Sequence, residues 1–380
     1  MIASVGSDSG RYAIRIWLYA VAMLIFAMVL LGGATRLTES GLSITEWQPV
    51  IGTLPPLSDS EWKTEFDKYK AIPQFKVLNS GMTLSEFRAI FWWEWTHRLL
   101  GRLIGVIFLL PLLFFLWRGW IGRGLRKRLL AIFALGALQG AVGWWMVASG
   151  LADRIEVSEY RLATHLVLAC LIYTAVVWTA VAHDPRAMVD APKRLRACAV
   201  VLIVLILIQI SFGALLAGLR GGPIFPTWPL IDGSLIPSTE AMLTLQPVWR
   251  NLFENVLTVQ VEHRLMAYAL WLFAIIHAVD ITRTLGRSRA LIRVLILVSA
   301  VTIQAVLGIL TLIFETPLAL ALMHQATAMA VLTIAVVHTE RLVVHRGSYM
   351  PDRQRRGALA LKLAGGGRFQ DSLGSVQDDA

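Results

Sequence analysis

Apolar residues run almost unbroken for long stretches of this chain, and eight such stretches recur, separated alternately by short basic linkers and mildly acidic ones, two of which are long. They fall at about 15–34, 98–117, 129–149, 161–181, 197–217, 264–281, 291–313 and 318–339. Most approach the roughly 20 residues that an α-helix needs to cross a bilayer. A helix that is apolar on every side is a membrane span or a deep core element, and a 380-residue soluble domain does not need eight of them. The pattern predicts an all-α membrane protein of eight transmembrane helices with both termini on one side. The first stretch follows Arg11 and Arg15 and leads into Gly32-Gly33-Ala34-Thr35-Arg36 without a small-x-small cleavage site, so it reads as a retained span.

Charge in the linkers orients the bundle. Segment 118–128 carries Arg118, Arg123, Arg126, Lys127 and Arg128 with no acid, 183–196 carries Arg186, Lys193, Arg194 and Arg196, and 280–293 carries Arg283, Arg287, Arg289 and Arg293. These belong in the cytoplasm, and 35–97, 150–160 and 218–262 outside. The net charge of +10 comes mostly from this inside bias. Its spread over several short loops and a tail argues against nucleic-acid binding. The two cysteines, Cys170 and Cys198, belong to no Cys-x-x-Cys or Cys-x-x-Cys-His motif, which disfavours both a structural disulfide and a covalently attached haem.

The sequence also repeats. Trp93–Leu99 corresponds to Val259–Leu265, Gln139–Gly143 to Gln304–Gly308, and Thr164-His165-Leu166 to Met323-His324-Gln325, in the same order. Three ordered anchors predict duplication of a four-span unit as two parallel four-helix bundles. The expected divisions are 1–182 for the first bundle, 183–196 for a cytoplasmic linker, 197–340 for the second bundle and 341–380 for a flexible cytoplasmic tail. Gly136, Gly140, Gly143, Gly213, Ala214 and Gly218 can serve close helix approach in lipid or approach to a flat macrocycle. Trp92, Trp93 and Trp95 can anchor the interface or wall a prosthetic group.

Chemistry concentrates at four histidines. His97, His165, His263 and His324 fall near one face of the membrane, two in each repeat. Neutral imidazole is a common iron ligand, so paired axial ligation of haem by facing helices is the leading reading, with His97 and His165 as one pair and His263 and His324 as the other. No Cys cluster or His-Glu-x-x-His motif supports zinc. Glu94 lies almost one helical turn before His97 and reads as a proton donor or acceptor beside a bound substrate. Arg36 and Arg220 are candidates for holding porphyrin propionates, and the long outer loops are candidate lids. A rival reading uses His277 and His338, each 14 residues beyond a leading histidine, as an inner ligand pair; the alternative makes both interfacial.

The run Gly32–Ser43, the motif Glu94-Trp95-Thr96-His97-Arg98, the triplet Glu262-His263-Arg264 and the placement of His165 and His324 together resemble the haem A synthase family in its proteobacterial and mitochondrial branch. The resemblance covers about 15–340. It implies oxidation of the C8 methyl of haem O to a formyl group by two hydroxylations and loss of water, yielding haem A for a haem–copper oxidase. It also implies substrate in the N-terminal half with His97 and His165, and haem b, with its iron, in the C-terminal half with His263 and His324. Members of another branch carry a cysteine pair in the first outer loop, where residues 35–97 have none. Expected partners are haem O, membrane lipid, an unidentified electron carrier, haem O synthase and oxidase assembly factors. The expected location is a bacterial inner membrane with the haem sites toward the periplasm. A quinone-linked bis-histidine cytochrome and a non-catalytic haem transporter or chaperone are the alternatives, and the pigment extracted after expression with and without haem O separates the three.

The charge bias makes a direct prediction. Reporter fusions after residues 120, 190 and 287 should be cytoplasmic and those near 60, 155 and 235 external. Reversed signals would dissolve the argument that the four histidines share the outer face.

Overall fold

The structure, a computed structural model, describes residues 8–48, 51–184 and 189–342. Its long helices are α1 (Asp8–Leu37), α4 (Leu84–Trp117), α5 (Arg123–Ala148), α6 (Glu159–Ala182), α7 (Lys193–Gly218), α10 (Val256–Leu285), α11 (Arg289–Ile313) and α12 (Leu318–Glu340). All eight are long and apolar enough to span a membrane. Short helices α2 (Asp59–Lys70) and α3 (Pro73–Leu78) lie in the first long loop, and α8 (Thr239–Met242) and α9 (Asn251–Glu254) in the second.

The helices run past the predicted spans because polar caps start them outside the apolar stretches. Thr83 and Glu86 form a reciprocal capping box, so the short helix expected before Glu94 is the first part of the 34-residue α4. His97 therefore sits inside a continuous helix rather than at its entrance. Asn255 accepts from the amides of Leu257 and Thr258 to start α10, and Ser288 accepts from Leu291 to start α11. Pro111 interrupts α4 and cannot donate to the carbonyl of Ile107. The Trp17 indole of α1 donates to that carbonyl at 2.9 Å, filling a need that lipid cannot meet.

Contacts close each half into a ring. α1 packs on α4 and α6, and α5 on α4 and α6; in the second half, α7 packs on α10 and α12, and α11 on α10 and α12. The halves meet through α6 on α7 and α12, and through α1 on α12. One apolar core runs through both rings, from Ile14, Leu18 and Val21 to Leu332 and Val336. Polar stitches cross the same seam: Tyr173 Oη lies 2.7 Å from Thr333 Oγ1, and the free thiol of Cys170 lies 3.9 Å from Met329 Sδ. Of the expected linker, 185–188 lie outside the described residues, as does the expected tail from 343 onward.

The first outer loop has a core of its own. Trp62, Phe66 and Tyr69 of α2 pack with Leu42, Ile72, Phe87 and Phe91, and with Val147 at the end of α5. Burial pushes the Tyr69 hydroxyl upward from its usual range. The loop is thus a packed cover over one end of the first ring, the arrangement expected of a lid.

Candidate functional site

Four glycines build the site. Gly32, Gly143, Gly213 and Gly308 lie on α1, α5, α7 and α11, each five residues before its helix ends. Each faces an imidazole from the following long helix. A Cβ there would stand 3.0 Å from His97 Cε1 at Gly32, 2.9 Å from His165 at Gly143, 3.2 Å from His263 at Gly213 and 2.8 Å from His324 at Gly308. Only a residue without a side chain lets the ring lie against the neighbouring backbone. The packing role expected of Gly143 and Gly213 is thus met by a histidine ring, and that of Gly218 by the backbone of Glu159. At Gly136 and Gly140 an added Cβ would meet nothing within 4 Å, so these two do not mark a helix contact.

A glutamine one turn earlier holds three of the rings. Gln139 Nε2 lies 3.1 and 3.3 Å from the ring nitrogens of His165 and donates to its backbone carbonyl at 3.0 Å. Gln209 makes the same three contacts with His263, at 3.1, 3.3 and 3.1 Å. Gln304 reaches His324 Nε2 at 3.3 Å. The motif Gln-x-x-x-Gly places amide and glycine on one helix face. At the fourth site the equivalent of the glutamine is Met28, four residues before Gly32.

His97 on α4 and His165 on α6 belong to the first ring, and His263 on α10 and His324 on α12 to the second. Among the described residues no cluster of three or more His, Cys, Asp or Glu side chains forms. The imidazole Nδ1 atoms of His97 and His324 are buried without a hydrogen-bond partner, as are the Oε1 atoms of Gln139, Gln209 and Gln304. His277 and His338 behave differently. They are 2% and 0% exposed and hydrogen-bonded directly, Nε2 to Nε2 at 3.1 Å, too close for a macrocycle to pass between them. Both are core residues, not the interfacial groups expected, because the two imidazoles, from α10 and α12, meet each other across the second ring.

Glu94 is 3% exposed and fully engaged. Its Oε2 accepts from Ser43 Oγ and the Ile44 amide, each at 2.8 Å, and its Oε1 accepts from Arg98 Nη2 at 2.6 Å and Nε at 3.1 Å. Arg98 also donates to the carbonyls of Ile44 and Glu46. The carboxylate therefore clamps the first outer loop onto α4, three residues before His97. Gln260 stands three residues before His263: its Oε1 accepts from Arg264 at 3.2 Å and its Nε2 faces the carbonyls of Gly221 and Phe225. The second half has the same clamp with a neutral amide.

Arg36 and Arg220 come together at the outer seam. Arg36 donates to Glu156 at 2.9 Å and to the carbonyl of Ala217, and Arg220 pairs with the same Glu156 and, at 2.9 Å, with Glu39. Carboxylates of the chain already neutralise both guanidiniums, and Arg36 Nε is buried without a partner. Nearby, Tyr160 of α6 donates to Glu254 at 2.7 Å, and the Arg250 guanidinium followed by that hydroxyl holds the Glu254 carboxyl below its usual range. The sequence reading missed Gln209 and Glu156, and it named Gly143 and Gly213 without their histidine partners. Gln209 was visible as a third Gln-x-x-x-Gly; Glu156 carried no signal.

The fold and site define a class: an eight-helix membrane protein with two glycine-backed histidines in each of two joined helix rings. Residues 15–336 match the sequence profile of the cytochrome oxidase assembly protein family, and the chain belongs to that family. It is 60% identical over 345 residues to a protein of Bradyrhizobium diazoefficiens named Heme A synthase, covering 90% of this chain and 95% of that one. It is 58% identical over 339 residues to a Heme A synthase of Rhodopseudomonas palustris strain HaA2, covering 89% and 93%.

Proposed function

We propose that this chain is an enzyme that converts haem O to haem A, oxidising the C8 methyl group to a formyl group for assembly of a haem–copper oxidase. The observation that carries the proposal is the set of four imidazoles, two in each ring and each lying against a glycine, in a chain that matches proteins named Heme A synthase along almost its whole length. The residues suit haem. Two neutral nitrogen donors approach from different helices, glycines leave the rings room, and buried Nδ1 and amide oxygen atoms await polar partners. Haem O binds as substrate between His97 and His165, and haem b between His263 and His324. Haem b, when bound, supplies one-electron redox capacity.

The chain's own residues do the rest. Gln139 and Gln209 lie against the rings of His165 and His263 and donate to those residues' backbone carbonyls, and Gln304 lies against the ring of His324, so the three amides restrain the imidazoles. The loop clamped by Glu94 and Arg98 covers the substrate ring and limits water. With water as the oxygen source, taking a methyl to a formyl (CH3 + H2O → CHO + 4 H⁺ + 4 e⁻) passes four electrons to the electron carrier expected from the sequence and leaves four protons for an acceptor beside the pocket. Glu94 is that group, with the Ser43 hydroxyl as its hydrogen-bonded route outward and Arg98 holding the carboxylate in place. Arg36 and Arg220 form the charged rim where propionates can exchange with Glu156 and Glu39. The N-terminal ring is the substrate unit, 1–182, and the C-terminal ring the haem b unit, 197–340. The setting is the bacterial inner membrane, with both termini cytoplasmic and the sites facing the periplasm, in contact with lipid and with haem O synthase and oxidase assembly factors.

Two experiments follow. His263→Ala or His324→Ala should lower haem b affinity by at least the roughly 10- to 100-fold typical of losing an outer-shell partner, while His277→Ala and His338→Ala keep the haem b absorbance spectrum. Equal loss from the inner variants would favour the two-level cytochrome. Glu94→Gln should preserve the fold, since Gln260 fills the same position in the other ring, yet reduce haem A per enzyme on the order of 100-fold. Mass spectrometry of extracted haem reads the result: normal yield removes Glu94 from proton transfer, and accumulated hydroxymethyl haem assigns it to the second oxidation.

A further inference from the structure

The two rings repeat the same helices but do not fill them alike. On α4, Gly105 stands three residues before Phe108 and seven before Leu112, on the helix face that these two buried side chains mark as inward. On α5, Gly136 and Gly140 stand between Leu129 and Ile132 on one side and Val147 on the other, again on the face of the buried residues. A Cβ at any of these three glycines would meet nothing within 4 Å. Inward faces that are packed toward both ends therefore bound an open space in the middle. One turn deeper, the stacked rings of Phe108 and Phe133, with centroids 6.1 Å apart and planes at 17°, bridge α4 and α5 and give the space an apolar floor.

The second ring closes the corresponding seam. Counting from the matched His97 and His263, and from Gly143 and Gly308, Gly105 corresponds to Trp271, Gly136 to Val301, Ala137 to Thr302 and Gly140 to Ala305. The first ring has the smaller residue at every one of them. The Trp271 indole donates to Thr302 Oγ1 at 3.0 Å, tying α10 to α11, and Val301 is buried in the apolar core. Gly105 lies eight residues beyond His97, and Gly136 seven before Gly143, so the space extends about 10 to 12 Å inward from the level of the imidazoles.

Each ring is assigned a haem, so room that only one of them keeps is not needed by the macrocycle itself. Haem O differs from haem b at a single substituent, a hydroxyethylfarnesyl chain in place of a vinyl group. We propose that the glycine-walled space between α4 and α5 seats this isoprenoid chain. Gly105, Gly136 and Gly140 are then specificity-determining residues that admit haem O to the first ring, and Trp271 and Val301 exclude it from the second. The inference rests on the proposed seating of haem O between His97 and His165 and names what tells it from haem b. A chain held in the deep slot and propionates held at the charged rim also stop the macrocycle from turning in its own plane, so the same methyl is always presented.

The probes are haem O and haem b, titrated separately into the full-length protein whose second ring already holds haem b. Gly136→Val, and the double variant Gly105→Trp with Ala137→Thr that rebuilds the closing pair, should weaken haem O binding at the first ring at least about 10-fold, the scale of overpacking a filled core. Haem b binding at that ring should not change, which also reports that the variants fold. In the opposite direction, Trp271→Gly with Val301→Gly should let the second ring retain haem O, read by mass spectrometry in a protein whose first ring is disabled by His97→Ala. Unchanged haem O affinity in the filled variants, or equal loss of both haems, would overturn the inference, as would an opened second ring that still takes only haem b. A wild-type first ring that binds neither haem would instead refute the seating on which it rests.

Discussion

Everything at the site depends on imidazole rings lying against bare backbone. Inside a membrane, helices gain little from the hydrophobic effect and associate through close packing and polar contacts. Glycine allows a ring to sit where any side chain would collide, and at Gly308 even a methyl would come within 2.8 Å of His324. The consequence reaches past each ring. Since each glycine lies five residues before its helix ends, all four histidines are drawn to the same end of the molecule, the end from which the two long loops leave α1 and α7. The residue seven after the glycine takes a left-handed backbone at Glu39, Arg220 and Glu315, with φ of 55°, 51° and 56°. The unit is thus a two-helix module of glycine helix and histidine helix, used four times.

Repetition makes the departures informative. The module is neutral where Gln260 clamps the second loop and anionic where Glu94 clamps the first. A glutamine amide touches the ring in three modules, and Met28 stands in its place in the fourth. Both departures belong to the ring assigned to substrate, as expected if one ring must react and the other must only hold. The rings also meet physically at α1. Gly32 faces His97, while the adjacent Gly33 receives the side chain of Gln325, the residue after His324, whose amide donates to the carbonyl of Val29 at 2.9 Å. A single turn of α1 therefore touches both sites.

The spans were legible because lipid imposes a length and a polarity that no tertiary context overrides, and the histidines because four of them recurred in register. Helix starts were only partly legible. The capping box at Thr83 was visible, but its continuity with the span through Trp92 and Trp93 was not, since a polar helix entrance resembles a loop. The two-helix module escaped because its loops differ so much: 16 residues separate Gly308 from His324, and 65 separate Gly32 from His97. Partners set by tertiary approach, such as Glu156 between Arg36 and Arg220 or His277 against His338, left no trace in local spacing.

The most direct measurement is the low-spin haem signal of the purified holoprotein carrying Gly308→Ala, followed by electron paramagnetic resonance. One methyl is added, no ligand is removed, and the only ring it meets is His324. The account predicts that the C-terminal haem loses its bis-imidazole signal or leaves the protein, while the N-terminal site retains its own. A Gly308→Ala protein with both haems bound and an unaltered spectrum would contradict it.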